Sequence, residues 1–445
     1  MEDTKSFTMS IKDKWEFQCA TSTCLPFVIT TALDIRQCQA YCLGQDHCKA
    51  ITFQQAISKC QLFDNIVDQN YNLQTNIKAT TMIVILGTRM PPEPTTASTT
   101  PSSAVTTSIS TTTSTSSTST TTAVPVWKLV GSMSGPRDEH AVSLLPNGNV
   151  LVIGGHNGSV YLKSAESYDS VTNIWTAIQS MNIARGALTA SLLLNGKVLV
   201  TGGFSNTYLN SAELYDLGSA NWTLTGNMND QRYGHTASVL SNGKVLVTGG
   251  ANSIYGLTST ELYDPTSGSW TIAANMTYGR VRHQAVVLSN GSVLVIGGST
   301  SKSAELYDPS TGKWTLTGNM SAIRSYFTAS KLSDGTVLVT GGDNNVAGVT
   351  AELYDPLTNK WTLTGNMSIA RKTHIGLKLS NGQVLVAGGS NSNDLASSEL
   401  YDPLTKNWTV TANMSAARAS HAGVVLMNGS ALVAGGKGLA SAELY

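Results

Sequence analysis

Arginine and glutamate recur along this chain at a nearly fixed phase. Arg137, Arg185, Arg232, Arg280, Arg324, Arg371 and Arg418 are each followed, 25 to 29 residues later, by Glu166, Glu213, Glu261, Glu305, Glu352, Glu399 and Glu443. Equal numbers at one phase suggest seven guanidinium–carboxylate pairs held by charge-assisted hydrogen bonds. The alternative is a ring of arginines that grips an acidic ligand. The paired reading is preferred, because a buried glutamate without a partner would be costly. Five histidines, His140, His235, His283, His374 and His421, stand three residues after an arginine, with Leu188 and Phe327 in the two remaining places. A ring of imidazoles could hold a metal. A position that recurs in separate repeats lies at separated points, however, so the histidines read as packed structural side chains and no metal or cofactor is expected. No Gly-x-Ser-x-Gly, His-Glu-x-x-His or phosphate-binding loop is present, so no catalytic residue is assigned.

These residues ride on a repeat. Di-glycines at 154, 202, 249, 297, 341, 388 and 435 are spaced by 48, 47, 48, 44, 47 and 47 residues, a period that means an array of supersecondary units. Asn-Gly or Asp-Gly pairs begin at Asn147, Asn195, Asn242, Asn290, Asp334, Asn381 and Asn428. Two-residue loops of this kind favour a type I′ hairpin, in which both central residues need positive φ. An apolar strand such as Val245 to Val247 follows each turn, then Gly-Gly, a variable loop, a strand with Glu-Leu-Tyr-Asp, and a strand opening on tryptophan. Four antiparallel strands per period make one blade of a propeller. Trp127, Trp175, Trp222, Trp270, Trp314, Trp361 and Trp408 predict seven blades. The array opens on a fourth strand at Trp127 and stops at a third strand, Ser441 to Tyr445. Pairing the two would close the ring and remove two open edges.

Gly-Gly, then Tyr-Asp-Pro, then tryptophan, methionine and arginine together resemble the kelch motif. The fold class implied is mainly β, a seven-bladed kelch propeller over residues 126–445. The enzyme precedent for that fold is galactose oxidase, a copper enzyme with a tyrosine crosslinked to a cysteine. Residues 61–445 contain no cysteine, so that cofactor cannot form in this propeller.

All six cysteines, Cys19, Cys24, Cys38, Cys42, Cys48 and Cys60, lie near the start of the chain. An even number in so short a stretch reads as a disulfide framework around a small core. Zinc fits less well, because there is no Cys-x2-Cys pair and His47 is the only histidine nearby. The stretch from Cys38 to Phe63 resembles the PAN/apple family, which gives residues 15–87 a small disulfide-rich α+β fold. The resemblance implies Cys38 with Cys60 and Cys42 with Cys48, leaving Cys19 with Cys24. The apple version also joins its ends with a later cysteine, which this stretch lacks. Residues 88–125 are rich in Ser, Thr and Pro and read as a mucin-like linker.

Net charge is zero and charged residues make up only 13%. No basic field attracts phosphate, so nucleic acid is not expected as a partner. The longest aliphatic run, Met82 to Leu86, is far too short for a membrane helix. Cysteines, linker and nine Asn-x-Ser/Thr sequons point to export. The sequons are at Asn157, Asn221, Asn275, Asn290, Asn319, Asn366, Asn407, Asn413 and Asn428. The opening residues, MEDTKSFTMSIKDKWEF, lack the apolar core of a signal peptide, so an upstream start is expected in preference to unconventional export.

Positions that match in every repeat serve the blade, and those that differ are free to serve a ligand. Differences concentrate after Gly-Gly, at His156, Tyr161, Phe204, Tyr208, Tyr255 and Asp343, and just after the arginine, at Asp138, Tyr233, Arg282, Tyr326 and Lys372. In kelch propellers these loops share one face around the axis, and aromatics with arginine are usual binding anchors. The sequence therefore predicts a monomeric, extracellular, non-enzymatic protein that binds a protein or glycan through this face or the PAN module. The other reading is a secreted kelch-type enzyme, carbohydrate-active or oxidase-like, with its site at the same mouth.

Overall fold

The computed structural model describes residues 126–445 except 254, 299 and 344–347, together with the backbone of five strands nearer the start. The cysteine pairings and the linker expected above lie outside the described residues. Contacts divide the chain into two compact units, 1–118 and 119–445. In the first, Phe7–Lys12 pairs with Lys14–Cys19, and Lys59–Phe63 lies between Pro26–Thr31 and Ala50–Gln54. Among the described residues no helix is long and apolar enough to cross a membrane.

The second unit is a ring of seven four-stranded antiparallel sheets. The third blade shows the plan: Thr236–Val239, Val245–Thr248, Thr260–Asp264 and Ser269–Ile272 pair in chain order. Its second strand is buried along its whole length, as in every blade, because it is covered on both faces, and it is apolar apart from a closing threonine in three blades. Third and fourth strands are locked by a Tyr–Trp pair in register, Tyr263 opposite Trp270 with ring centroids 5.0 Å apart. The indole then ties its blade to the one before: Trp270 Nε1 donates to Gly226 O at 2.7 Å and Trp408 Nε1 to Gly365 O at 2.7 Å.

The last blade is completed from the other end of the propeller. Lys128–Val130 pairs with Ala442–Leu444, and the Trp127 ring lies 5.1 Å from Tyr445. Trp127 Nε1 donates to Ser398 Oγ and to Ala412 O, both at 3.0 Å, so this strand also grips the sixth blade.

The hairpin turns depart from the expected type. Only the glycine has positive φ, for example 82° at Gly243, and Asn242 does not. Gly243 N–H donates to Leu240 O, and Leu240 N–H to Lys244 O. This is a type I turn followed by a left-handed glycine in a bulge. The asparagine contributes its side chain instead, with Asn242 Oδ1 accepting from Lys244 N–H at 3.1 Å. Gly249 and Gly250 also take positive φ, 58° and 86°, and a Cβ on Gly249 would lie 2.6 Å from Arg280 O. Here the next blade's arginine loop crosses so closely that only glycine fits.

Candidate functional site

The seven arginines are buried inside the blades. Arg232 Nη1 donates to Gly249 O and Ser259 O, and its Nη2 donates to Ser259 Oγ and to Glu261 Oε1 at 2.9 Å. Glu261 also accepts from the backbone N–H groups of Asn229 and Asp230. Equivalent ion pairs of 2.6 to 3.0 Å join the other six arginines to their glutamates. Each pair pins the chain that enters a blade to that blade's third strand. All seven guanidiniums are buried and bonded within the framework.

The histidines sit at the seams between blades and line the axial cavity of about 450 Å³. His235 Nε2 meets Thr189 and Thr201 of the preceding blade, His283 meets Thr236 and Thr248, and His374 meets Thr328 and Thr340, all within 2.9 to 3.2 Å. Where the next blade offers Leu188 or Phe327, the preceding blade offers no such threonine pair, only Ala141 with Ile153 and Gln284 with Ile296. Two histidines break the pattern. The positions preceding His421 are Ile375 and Ala387, and those preceding His140 are Ala422 and Ala434. Nε2 of both has no hydrogen-bond partner among the described residues. Burial, reinforced by the nearby arginine, pushes His140, His283 and His421 down to about 3. They are neutral framework groups at any physiological pH.

The mouth is formed by the residues two after each arginine: Glu139, Ala187, Gly234, Arg282, Tyr326, Thr373 and Ser420. Each donates its backbone N–H to the carbonyl of its counterpart in the preceding blade, at 2.8 to 3.2 Å, and the seventh bond returns to the first. The result is a closed backbone collar around the axis. Every member has φ between 48° and 60°, a conformation that costs a non-glycine residue of order 1 kcal/mol and persists where surroundings over-determine it. The backbone is thus invariant while all seven side chains differ. Sequence reading found Arg282 and Tyr326 but missed Glu139, whose signal was that same divergence.

Arg282 reaches across the collar to Glu139, Nη2 to Oε1 at 2.5 Å. Its guanidinium lies 5.6 Å from the Tyr233 ring centroid and 5.3 Å from that of Tyr326, within cation–π range. From Tyr233 an aromatic arc continues: Tyr208 stacked at 5.5 Å, Phe204 at 5.2 Å from Tyr208, Tyr161 at 5.3 Å from Phe204, and His156 at 4.9 Å from Tyr161. Asp138 stands beside His156, 4.0 Å from its Nδ1. Burial first and Glu139 second raise the Asp138 carboxyl above the usual carboxylate range. The same causes raise the Tyr161 phenol, with burial the larger. Asp343 and Lys372 pair with each other at 2.8 Å in a more polar part of the face. Tyr255 is 76% exposed and has no ring contact among the described residues.

The Kelch motif profile matches residues 140–182, 185–229, 232–277, 280–321, 326–368 and 379–415, and the PAN domain profile matches residues 22–84. No curated protein sequence matches the chain. Among solved structures, a fungal alcohol oxidase of the AA5 family in complex with copper is 21% identical, with a TM-score of 0.62 over 72% of this chain and 76% of its own. YjhT is 17% identical, with a TM-score of 0.51 over 63% of this chain and 99% of its own. These likenesses are likenesses of fold. They nevertheless correct the expectation of a non-enzymatic protein: an oxidase is built on this propeller, so the repeat architecture gives no ground for excluding catalysis. Copper does not fit the residues present. No group of three or more His, Cys, Asp or Glu side chains able to hold a metal occurs among the described residues, and three of the axial histidines already bond threonines through Nε2. With six motif matches spanning more than half its length and a seventh blade in the structure, the chain belongs to the kelch family, as a seven-bladed kelch propeller preceded by a PAN domain.

Proposed function

We propose that this protein is an exported kelch-type enzyme acting on a glycoside at the collar mouth, without the copper chemistry of the alcohol oxidase. The observation that carries the reading is the arc from His156 to Tyr326, with Asp138 beside His156 at one end and Glu139 bonded to Arg282 near the other. Aromatic faces pack against the apolar faces of sugar rings, and charged groups at the rim take up hydroxyls. Asp138 and Glu139 are adjacent in sequence yet differently placed. Asp138 keeps its proton to a higher pH than an ordinary carboxyl, while Glu139 faces the Arg282 cation. Two carboxyl groups in unlike settings are the arrangement that general acid–base chemistry needs. In this scheme Asp138 donates a proton to a glycosidic oxygen as its bond to the anomeric carbon breaks, and Glu139 takes a proton from the water that adds to that carbon. Arg282, one of whose donors is a buried Nε with no partner among the described residues, holds the substrate through its remaining N–H groups. The PAN match is typical of extracellular proteins, which supports export.

The test is turnover of a panel of glycosides by the full chain. Asp138→Asn and Glu139→Gln should each lower kcat by about 10²-fold or more, the usual scale for a general acid or base, with melting unchanged. Binding of a panel member at the mouth without any turnover would refute the proposal.

A further inference from the structure

The outer strands carry a second pattern. Two residues after each strand tryptophan stands Leu129, Ala177, Leu224, Ile272, Leu316, Leu363 or Val410. Except for the alanine, these are large aliphatics between 49% and 71% exposed. They form a broken apolar belt on the edge strands, where proteins ordinarily place charge or proline to prevent edge-to-edge association. Sequons follow the belt. Asn275, Asn319, Asn366 and Asn413 lie three residues beyond Ile272, Leu316, Leu363 and Val410, and Asn221 opens the strand that holds Leu224. The strand with Ala177 has no sequon. Only Leu129 is a large belt residue without one on or next to its strand.

The asparagines themselves divide into two groups. Asn157, Asn290 and Asn428 use Oδ1 to accept backbone N–H groups inside their own loops. Asn221, Asn275, Asn319, Asn366, Asn407 and Asn413 are exposed, and their side chains make no hydrogen bond among the described residues. We propose that N-linked oligosaccharides on these six outer asparagines cover the aliphatic belt and blunt the propeller's edge strands. Three residues of extended chain put each asparagine within about 10 Å of its aliphatic neighbour, and a glycan is bulky and solubilising. The proposal shares with the preceding section only the assumption of export, and it does not depend on what the mouth binds.

To remove even that dependence, the full chain is secreted behind a cleavable leader from a eukaryotic host, and site occupancy is mapped by glycopeptide mass spectrometry. The six outer sites should be largely occupied. Enzymatic removal of the glycans from the folded protein should raise hydrophobic-dye binding and light scattering several-fold. A variant with Leu224, Ile272, Leu316, Leu363 and Val410 all changed to Thr should lose that rise. Vacant outer sites, or deglycosylation that leaves dye binding and scattering unchanged, would overturn the proposal whether or not the mouth proves catalytic.

Discussion

Removing one buried carboxylate tests whether the arginines belong to the framework, and two blades make the test quantitative. In the fourth blade Arg280 is fully buried and Glu305 is its one ion-pair partner among the described residues. Glu305→Ala strands that cation and also leaves the backbone N–H groups of Thr277 and Tyr278 without their acceptor. Breaking a buried pair from one side costs about 3–5 kcal/mol, and the lack of a second carboxylate beside Arg280 among the described residues places this case toward the upper end. In the third blade Glu261→Ala loses the same two kinds of backbone bond, from Asn229 and Asp230, but Asp230 lies 3.5 Å from Arg232 with its side chain 40% exposed, so a second carboxylate remains and the cost falls toward about 3 kcal/mol. For roughly 320 residues unfolding together, the entropy at the midpoint is about 0.7 kcal/mol per degree. The expected drops in Tm are therefore about 6–7 °C for Glu305→Ala and about 4 °C for Glu261→Ala, read by calorimetry. Equal losses below about 0.5 kcal/mol, the scale of surface changes, would mean the guanidiniums are not held by these carboxylates and would return them to the list of ligand groups.

Other expectations follow from the seams and the closure. A chain beginning at Ser132 lacks the Trp127 strand and exposes Ala442–Leu444 as an edge; it should melt about 3 °C below one beginning at Trp127, for a loss of about 2 kcal/mol, and equal melting would mean closure does not rest on this strand. Thr248→Val removes the hydroxyl 3.1 Å from His283 Nε2 and should cost about 1–2 kcal/mol in chemical denaturation; no loss would dissolve the threonine–histidine seam. His140 and His421 have folded pKa values depressed to about 3, so their contribution is present above the unfolded value near 6.5 and is lost as pH falls from there toward 3. Across that window the unfolded chain binds the extra proton, at about 1.4 kcal/mol per pH unit for each histidine. His140→Leu should flatten the slope and gain about 2 kcal/mol at pH 5, and an unchanged slope in denaturation between pH 5 and 7 would show that His140 is not buried neutral.

How much of this could be read beforehand depends on the range of the interaction. Blade number, strand order and the Arg–Glu phase were legible because each is a local pattern repeated seven times. The turn type was not: Asn-Gly satisfies both a type I′ turn and a type I turn with a left-handed glycine, and only the bond from Leu240 N–H to Lys244 O separates them. The arc was half legible. Its members could be listed as divergent positions, but their order depends on contacts between blades, such as Tyr161 with Phe204. Arg282 with Glu139 spans 143 residues, and no repeat spacing encodes that partnership.

The collar explains why divergence at this point can carry function without endangering the fold. Side chains usually help decide backbone conformation, and a β-branched residue such as Thr373 resists φ of 53°. Here the decision has been taken away from the side chain. The N–H and carbonyl of Thr373 are committed to Tyr326 and Ser420, while the arginine two residues earlier is bonded inside its blade. The strain is met by seven hydrogen bonds that no collar substitution removes, proline apart. Glutamate, arginine, tyrosine, serine, threonine, alanine and glycine therefore occupy equivalent backbone positions, and their chemistry points at one axis. A mouth can change its charges and rings one blade at a time under those conditions, which is the physical reason to look for a ligand there and not among the buried arginines and histidines beneath it.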